Sequence, residues 1–303
     1  MSAAPDLGLP VTQAATRAPH PSLANALSAE LLKLRRQRST WVLGGLGVVA
    51  LALVLLVGST SNSVHVGLLH HSGSELDQWL GVLEGVFAAG AGIALLILGS
   101  RLMGMEFGLG TMRVVLARGT GRGTLLGAKL LAMAVLALVF LICYMVLAGI
   151  GTTLAVLHQT GSLTLITLPP AGVLHHVLIA TLAAAISSLT CVVVAVTVAT
   201  LTRSLSAATA VALVFFPVDN ALVVILSLIE RATRIAALSH VSAFLLGPTL
   251  NHLPLLLKVE ARAPFAIPSV HVGLTQTYLV VAGWVVGLAA LAALSLRRRD
   301  VLS

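Results

Sequence analysis

Two acids stand where a side-chain charge is expensive. Asp219 lies in FFPVDNALVV, about 14 residues into an apolar run, and Glu84 lies in GVLEG. An acid at membrane depth faces a polar cavity, pairs with a neighbour or marks a transport path. Beside Asp219, Pro217 frees a backbone carbonyl and Asn220 adds hydrogen-bonding capacity. Three readings of Asp219 stay open: a polar contact on a transport path, an acid tying helices together, or an acid meeting headgroups where its span ends early. Glu84 is five residues beyond Trp79, about 7 to 8 Å along a helix, which keeps it near one membrane interface. Asp219, Asn220 and Glu84 are the transport-path candidates.

Other chemistry finds little support. Ser187, Ser188 and Thr190 have no G-x-S-x-G around them. No carboxylate pair suits acid–base work. Cys143 and Cys191 sit in apolar runs and read as small buried hydrophobes. Histidine pairs occur at His70–His71 and His175–His176, without the i, i+4 spacing to a second ligand and an acid; no metal site is expected. The glycines of GTGRG, Gly119 to Gly123, lack a preceding strand and the G-x-x-x-x-G-K-[ST] spacing of a phosphate loop. They read as a helix stop and turn.

The elements that position these residues are membrane helices. The chain has 303 residues, of which 58% are hydrophobic and 9% charged, against about 25% charged in soluble domains. So few charges cannot cover a soluble surface, so the bilayer is the solvent for most of the chain. A net charge of +8 would suit nucleic acid, but no basic–aromatic platform appears, and the basic residues flank apolar spans. No nucleic-acid partner is expected.

Six apolar segments, at 41–58, 79–100, 130–157, 173–201, 205–229 and 276–296, are long enough to span. Residues 1–22 read as a disordered cytoplasmic tail, not a signal peptide, and 23–303 as a single transmembrane domain. Placing the amino terminus in the cytoplasm puts 14 of the 18 Lys and Arg residues on that side, including Arg297, Arg298 and Arg299. By the positive-inside rule both termini are cytoplasmic. Nine of the ten histidines then lie outside. The outer segment at 230–275 is broken by Gly247, Pro248, Pro254, Pro264 and Pro268, which predicts short broken helices there rather than a seventh span. G-x-x-x-G spacings at Gly81–Gly85 and Gly283–Gly287 allow close helix packing.

Leu23 to Arg38 reads as an amphipathic interfacial helix with Leu23, Leu27, Leu31 and Leu34 on one face. Glu30, Lys33 and Arg36 fall largely elsewhere, and Glu30 can pair with Lys33 one turn on. EFGLGTMRVVLARGTGRGTLLGAK, Glu106 to Lys129, is the basic loop between the second and third spans. Leu109, Met112, Val115 and Leu116 share a helical face, Arg118 ends the helix, and Gly119 supplies a left-handed stop. An apolar face exposed to the cytosol would need a partner, lipid headgroup or protein.

Glu106, Gly110-Thr111, Arg113, Arg118, Arg122 and Gly127 with Lys129 together resemble the cytoplasmic loop of exporter-type ABC permeases, the ABC type-2 family. ELLKLRRQRSTW, Glu30 to Trp41, resembles that family's interfacial amino-terminal helix, and SLRRRD, Ser295 to Asp300, its exit from the last span. The resemblance implies an all-α integral membrane protein with six transmembrane helices and a cytoplasmic coupling helix. It implies pairing with a second permease subunit, identical or not, and docking of separate ABC ATPase subunits that hold ATP and magnesium. This chain would carry no cofactor and catalyse nothing. The coupling residues would be Glu106, Gly110, Thr111, Met112, Arg113, Arg118, Arg122 and Lys129, with Glu30, Lys33 and Arg36 on the interfacial helix. The expected function is ATP-driven export across the cytoplasmic membrane. The alternatives are a proton-coupled secondary transporter, with Asp219 as relay, and a non-transporting scaffold.

Overall fold

The computed structural model describes residues 22–117, 119–234, 237–256 and 272–298. Arg118, Arg299, the amino-terminal tail and Pro264 and Pro268 of the outer segment, on which expectations fell, lie outside the described residues. Every regular element among the described residues is a helix: α1 (Leu23–Arg36), α2 (Arg38–Thr60), α3 (Asn62–His70), α4 (Ser72–Gly108), α5 (Thr111–Ala117), α6 (Arg122–Thr160), α7 (Thr164–Thr167), α8 (Val173–Thr202), α9 (Leu205–Thr233), α10 (Ala237–Ser242), α11 (Leu246–Leu256) and α12 (Leu274–Arg298). Six of these, α2, α4, α6, α8, α9 and α12, are long and apolar enough to cross a membrane.

The centre of the bundle is the packing of α4 on α8. Small residues permit it: a Cβ built on Gly99 would lie 2.7 Å from the Ala195 Cβ of α8, and Gly104 likewise lets α4 approach the start of α9, a Cβ there lying 2.9 Å from the Leu205 Cα. Of the G-x-x-x-G glycines, Gly81 is buried, whereas a Cβ built on Gly85, Gly283 or Gly287 would meet nothing within 4 Å. Leu95, Leu98, Ala132, Met133, Val194 and Ala195 form the central core. The helices α2 and α9 are peripheral, with 11% of their apolar windows buried against 44% for α8. Cys143, expected to be buried, is exposed on the outside of the bundle, whereas Cys191 is buried.

The helices α4 and α6 have 37 and 39 residues. At 1.5 Å per residue they run about 54 and 57 Å, well beyond a hydrocarbon core of about 30 Å. The end of α4 and the start of α6 overhang together at the end of the bundle that carries α1, α5 and the arginines of α12. This is called the basic end below.

The side chain of Ser22 caps α1, accepting from the Asn25 N–H at 3.2 Å, and Lys33, Arg35 and Arg36 suit its last turn. Leu27 and Leu31 pack on the central core and Leu34 is buried within it. The apolar face of α1 is therefore covered by the chain's own α6 rather than lying on lipid alone. Glu30 is buried on that same face, contrary to its expected placement elsewhere. It follows Leu27 by three residues and precedes Leu34 by four, so helical geometry puts all three together.

Candidate functional site

At the basic end the sequence builds a compact charged stalk. The Lys33 ammonium lies 2.8 Å from Glu30 Oε1 and 2.7 Å from Glu106 Oε1. The Lys129 ammonium lies 3.2 Å from Glu30 Oε2 and 2.9 Å from Glu106 Oε1, and donates to the Leu102 carbonyl at 3.2 Å. Two cations and two carboxylates thus bind α1, α4 and α6 into one unit. Lys129 is wholly buried and Glu30 nearly so, while Lys33 is half-exposed. Burial works against the Lys33 charge, but hydrogen bonds to Glu106 and Glu30 outweigh it and hold the ammonium above its usual range.

The loop that follows is a folded hairpin. Gly110 has φ +67°, a left-handed conformation that lets the chain turn from α4 into α5. Thr111 opens α5, its hydroxyl reaching back to the Glu106 carbonyl at 3.4 Å. Gly119, at φ +85°, turns the chain towards α6, in the left-handed state its position suggested. Met112 is buried with Met103, Leu125, Leu126, Val196, Ala199, Ala208, Ala292 and Leu296. One side chain of α5 therefore reaches a junction of α4, α6, α8, α9 and α12.

This arrangement corrects the expectation of an apolar face open to the cytosol. Met112 is covered by the subunit's own spans, and Val115 and Leu116 pack against the same cluster. Glu106 and Lys129 are also interior, where Lys33 and Lys129 together balance the charges of Glu30 and Glu106. Arg122 donates to the carbonyls of Leu296 and Arg297 at 2.9 and 2.8 Å, closing the end of α12. What α5 leaves outside is Leu109 at its approach, 71% exposed, with Thr111, Arg113 and Val114. Arg36 is exposed on α1. Sequence reasoning missed a further brace, the Arg203 guanidinium 5.8 Å from the centre of the Phe107 ring.

Asp219 has a different setting. The short helix α11 enters the bundle, with Leu246 and Leu250 joining the central core. A helix start brought to that depth carries N–H groups with no intrahelical acceptor and no water to take them. The Asp219 carboxylate accepts the Gly247 N–H, and Asn220 Oδ1 accepts from Asn251 Nδ2 at 2.9 Å. Both residues thus hold α9 to α11. A Cβ at Gly247 would lie 3.2 Å from the Asp219 carboxylate and the Asn220 amide, a close fit that those side chains would have to ease to admit. No sequence pattern joined Asp219 to Gly247, which lies 28 residues away.

Glu84 lies on α4 at the other end of the bundle, facing an apolar cavity between α4, α6 and α8. Nearby, His176 Nδ1 and Asp77 Oδ1 meet at 3.1 Å and tie α8 to α4, a pair the sequence did not suggest.

A family model described as ABC-2 family transporter protein matches residues 26–219, nearly two thirds of the chain. The matched stretch contains the charged stalk, the α5 hairpin, Glu84 and Asp219. Neither the curated proteins nor the solved structures contain a match to the chain. Six membrane-length helices, a stalk built of two overlong ones, and a family match that covers both make this multi-pass chain a member of the ABC-2 transporter permease family, the membrane subunit of an ABC transporter.

Proposed function

We propose that this subunit exports a substrate across the cytoplasmic membrane, driven by a separate ABC ATPase that docks at the basic end. In this reading the basic end and both termini face the cytoplasm, and α1 is the interfacial helix. A second permease subunit pairs with this one, and α10 and α11 belong to the outer side. ATP and magnesium are held by the ATPase, and this chain supplies no catalytic group.

The observation that carries the reading is the seating of α5. Its exposed side offers Arg113 and Val114, with Leu109 exposed just before it, while Met112 on its other side joins a buried cluster drawn from five spans. A push on α5 would be passed to α4, on which it packs, and through the cluster around Met112 to α6, α8, α9 and α12. The charged stalk stiffens this path, because α1, α4 and α6 cannot separate there without exposing buried charges. ATPase closure would so bias the bundle between two arrangements. The coupling surface is Leu109, Thr111, Arg113 and Val114, with Arg36 exposed on α1. Glu106, Met112 and Lys129 transmit from within, and Arg122 keeps α12 attached.

The test is co-purification with an ABC ATPase co-expressed from the same source, and stimulation of its ATP hydrolysis by this chain. Replacing Arg113 and Val114 by Glu is expected to abolish both, with membrane insertion unchanged. A single cysteine placed at Arg113 in a cysteine-free background should react with a membrane-impermeant maleimide only in inverted vesicles. Labelling from the outside of intact cells would overturn the orientation and the coupling scheme with it.

A further inference from the structure

The cavity at Glu84 is built differently from the rest of the bundle's surface. It has a volume of about 290 Å³, room for roughly ten water-sized groups at about 30 Å³ each. Its walls are apolar side chains of α4, α6 and α8, with Leu165 and Ile166 of α7 over one side. Among the described residues, no lysine, arginine or histidine lines it. Glu84 is the one ionisable acid on the wall, and among the described residues it has no hydrogen bond or ion pair. Thr152 also lines the cavity. It is about nine-tenths buried, and its hydroxyl has no hydrogen-bond partner among the described residues. The next residue shows the usual alternative, Thr153 donating to the Gly149 carbonyl at 2.8 Å. Tyr144 presents its ring to the same space while its hydroxyl donates to the Leu83 carbonyl at 2.7 Å.

From these features we infer that the cavity binds a small lipophilic cation, an aromatic amine or quaternary ammonium, with its charge against Glu84. A carboxylate in an apolar wall without a counter-charge is an unfavourable arrangement that a bound cation relieves. Tyr144, packed against Phe87 with ring centres 4.9 Å apart, adds an aromatic edge to the wall. Met145, on the same wall, is an adaptable apolar contact for bodies of differing shape. Neutral ligands gain only the apolar burial, and anions meet repulsion. Glu84 lies 22 residues before Glu106 on one continuous helix, about 33 Å away. The cavity is thus near the membrane face opposite the charged stalk. The inference goes beyond ATP-driven export, and binding to the isolated chain does not depend on any ATPase.

The experiment measures equilibrium binding to the full chain in phosphatidylcholine nanodiscs, using radiolabelled phenyltrimethylammonium and its neutral isostere tert-butylbenzene. Saturable binding of the cation is expected, at least about tenfold weaker in Glu84→Gln, with tert-butylbenzene binding unaffected by that change. Glu84→Asp keeps the charge and should bind the cation better than Glu84→Gln does, which separates loss of charge from loss of shape. Absence of saturable cation binding would overturn the inference. So would equal cation affinity in the wild type and Glu84→Gln, or a wild type that prefers the neutral isostere. Failure of ATPase co-purification with cation binding intact would instead sink only the coupling reading.

Discussion

Glu106 and Glu84 belong to the same helix and meet opposite environments. At the basic end, Glu106 shares Lys33 and Lys129 with Glu30, and four charges leave no net charge. Some 22 residues earlier on α4, Glu84 faces an apolar cavity with no cation on its wall. Asp219 is an intermediate case, satisfied by the backbone N–H of a helix start rather than by a cation. An acid in an apolar bundle thus has three fates. Paired with cations it is a fastener, and at a helix start it is a cap. Unpaired beside a cavity, it is free to meet a ligand.

The largest effect should come from breaking the fastener. Lys129 is fully buried between two carboxylates, so Lys129→Met leaves a buried, uncompensated negative charge. A loss of about 3–5 kcal/mol is expected, read as a lower thermal midpoint of the solubilised full chain. Combining it with Glu30→Leu removes one stranded acid and leaves Glu106 with Lys33. The double variant should recover a good part of the loss. A double variant less stable than Lys129→Met would show that the network is not acting as a charge-balanced unit.

The cap comes next. Asp219→Ala strips the acceptor from the Gly247 N–H inside the bundle and should cost about 1–3 kcal/mol. Hydrogen exchange should rise first in α11. Uniform destabilisation, with α11 no more affected than α8, would contradict the capping role.

The residues behind these two predictions differ in how far the sequence revealed them. The six spans follow from hydropathy alone, because an apolar run of about 20 residues has few other uses. The Glu30–Lys33 pair is local, one helical turn apart, and was visible for that reason. The Lys33–Glu106 and Lys129–Glu30 contacts join residues 73 and 99 positions apart. No periodicity carries that information; it arises only when three helices pack. Met112 was correctly placed on the apolar face of a short helix, but a pattern cannot say whether such a face is covered by the chain itself or by a partner. Asp219 stood out by its cost, although its reason is a helix that re-enters the bundle 28 residues later. Glu84 stood out likewise, yet its cavity is formed by α6, α7 and α8 as well as α4.

On the Glu84 side of the comparison the expected sign reverses. Since Glu84 has no partner among the described residues, Glu84→Gln removes a charge without stranding another. The stability of the ligand-free chain should stay level or rise by up to about 1 kcal/mol. Glu106→Gln in the same assay should lower it, because Lys129 then loses half of its neutralising charge. If both variants fall by similar amounts, the distinction between fastener and ligand site fails.

The smallest effect belongs to Lys33, half of which is in solvent. An exposed ion pair is screened, so Lys33→Met should cost less than about 1 kcal/mol at neutral pH. Its sign with pH is nevertheless definite. The folded state raises the Lys33 ammonium above its ordinary value of 10.5, so the unfolded chain gives up that proton first. The contribution of Lys33 is then complete below the ordinary value and disappears as pH rises through the folded one. Thermal midpoints of the wild type and Lys33→Met, followed from about pH 9 to about pH 11.5, should differ most at the lower end and draw together above it. A gap that widened with alkali would mean that Lys33 is stabilised in the fold by its aliphatic stem rather than by Glu30 and Glu106. The stalk would then be held by Lys129 alone.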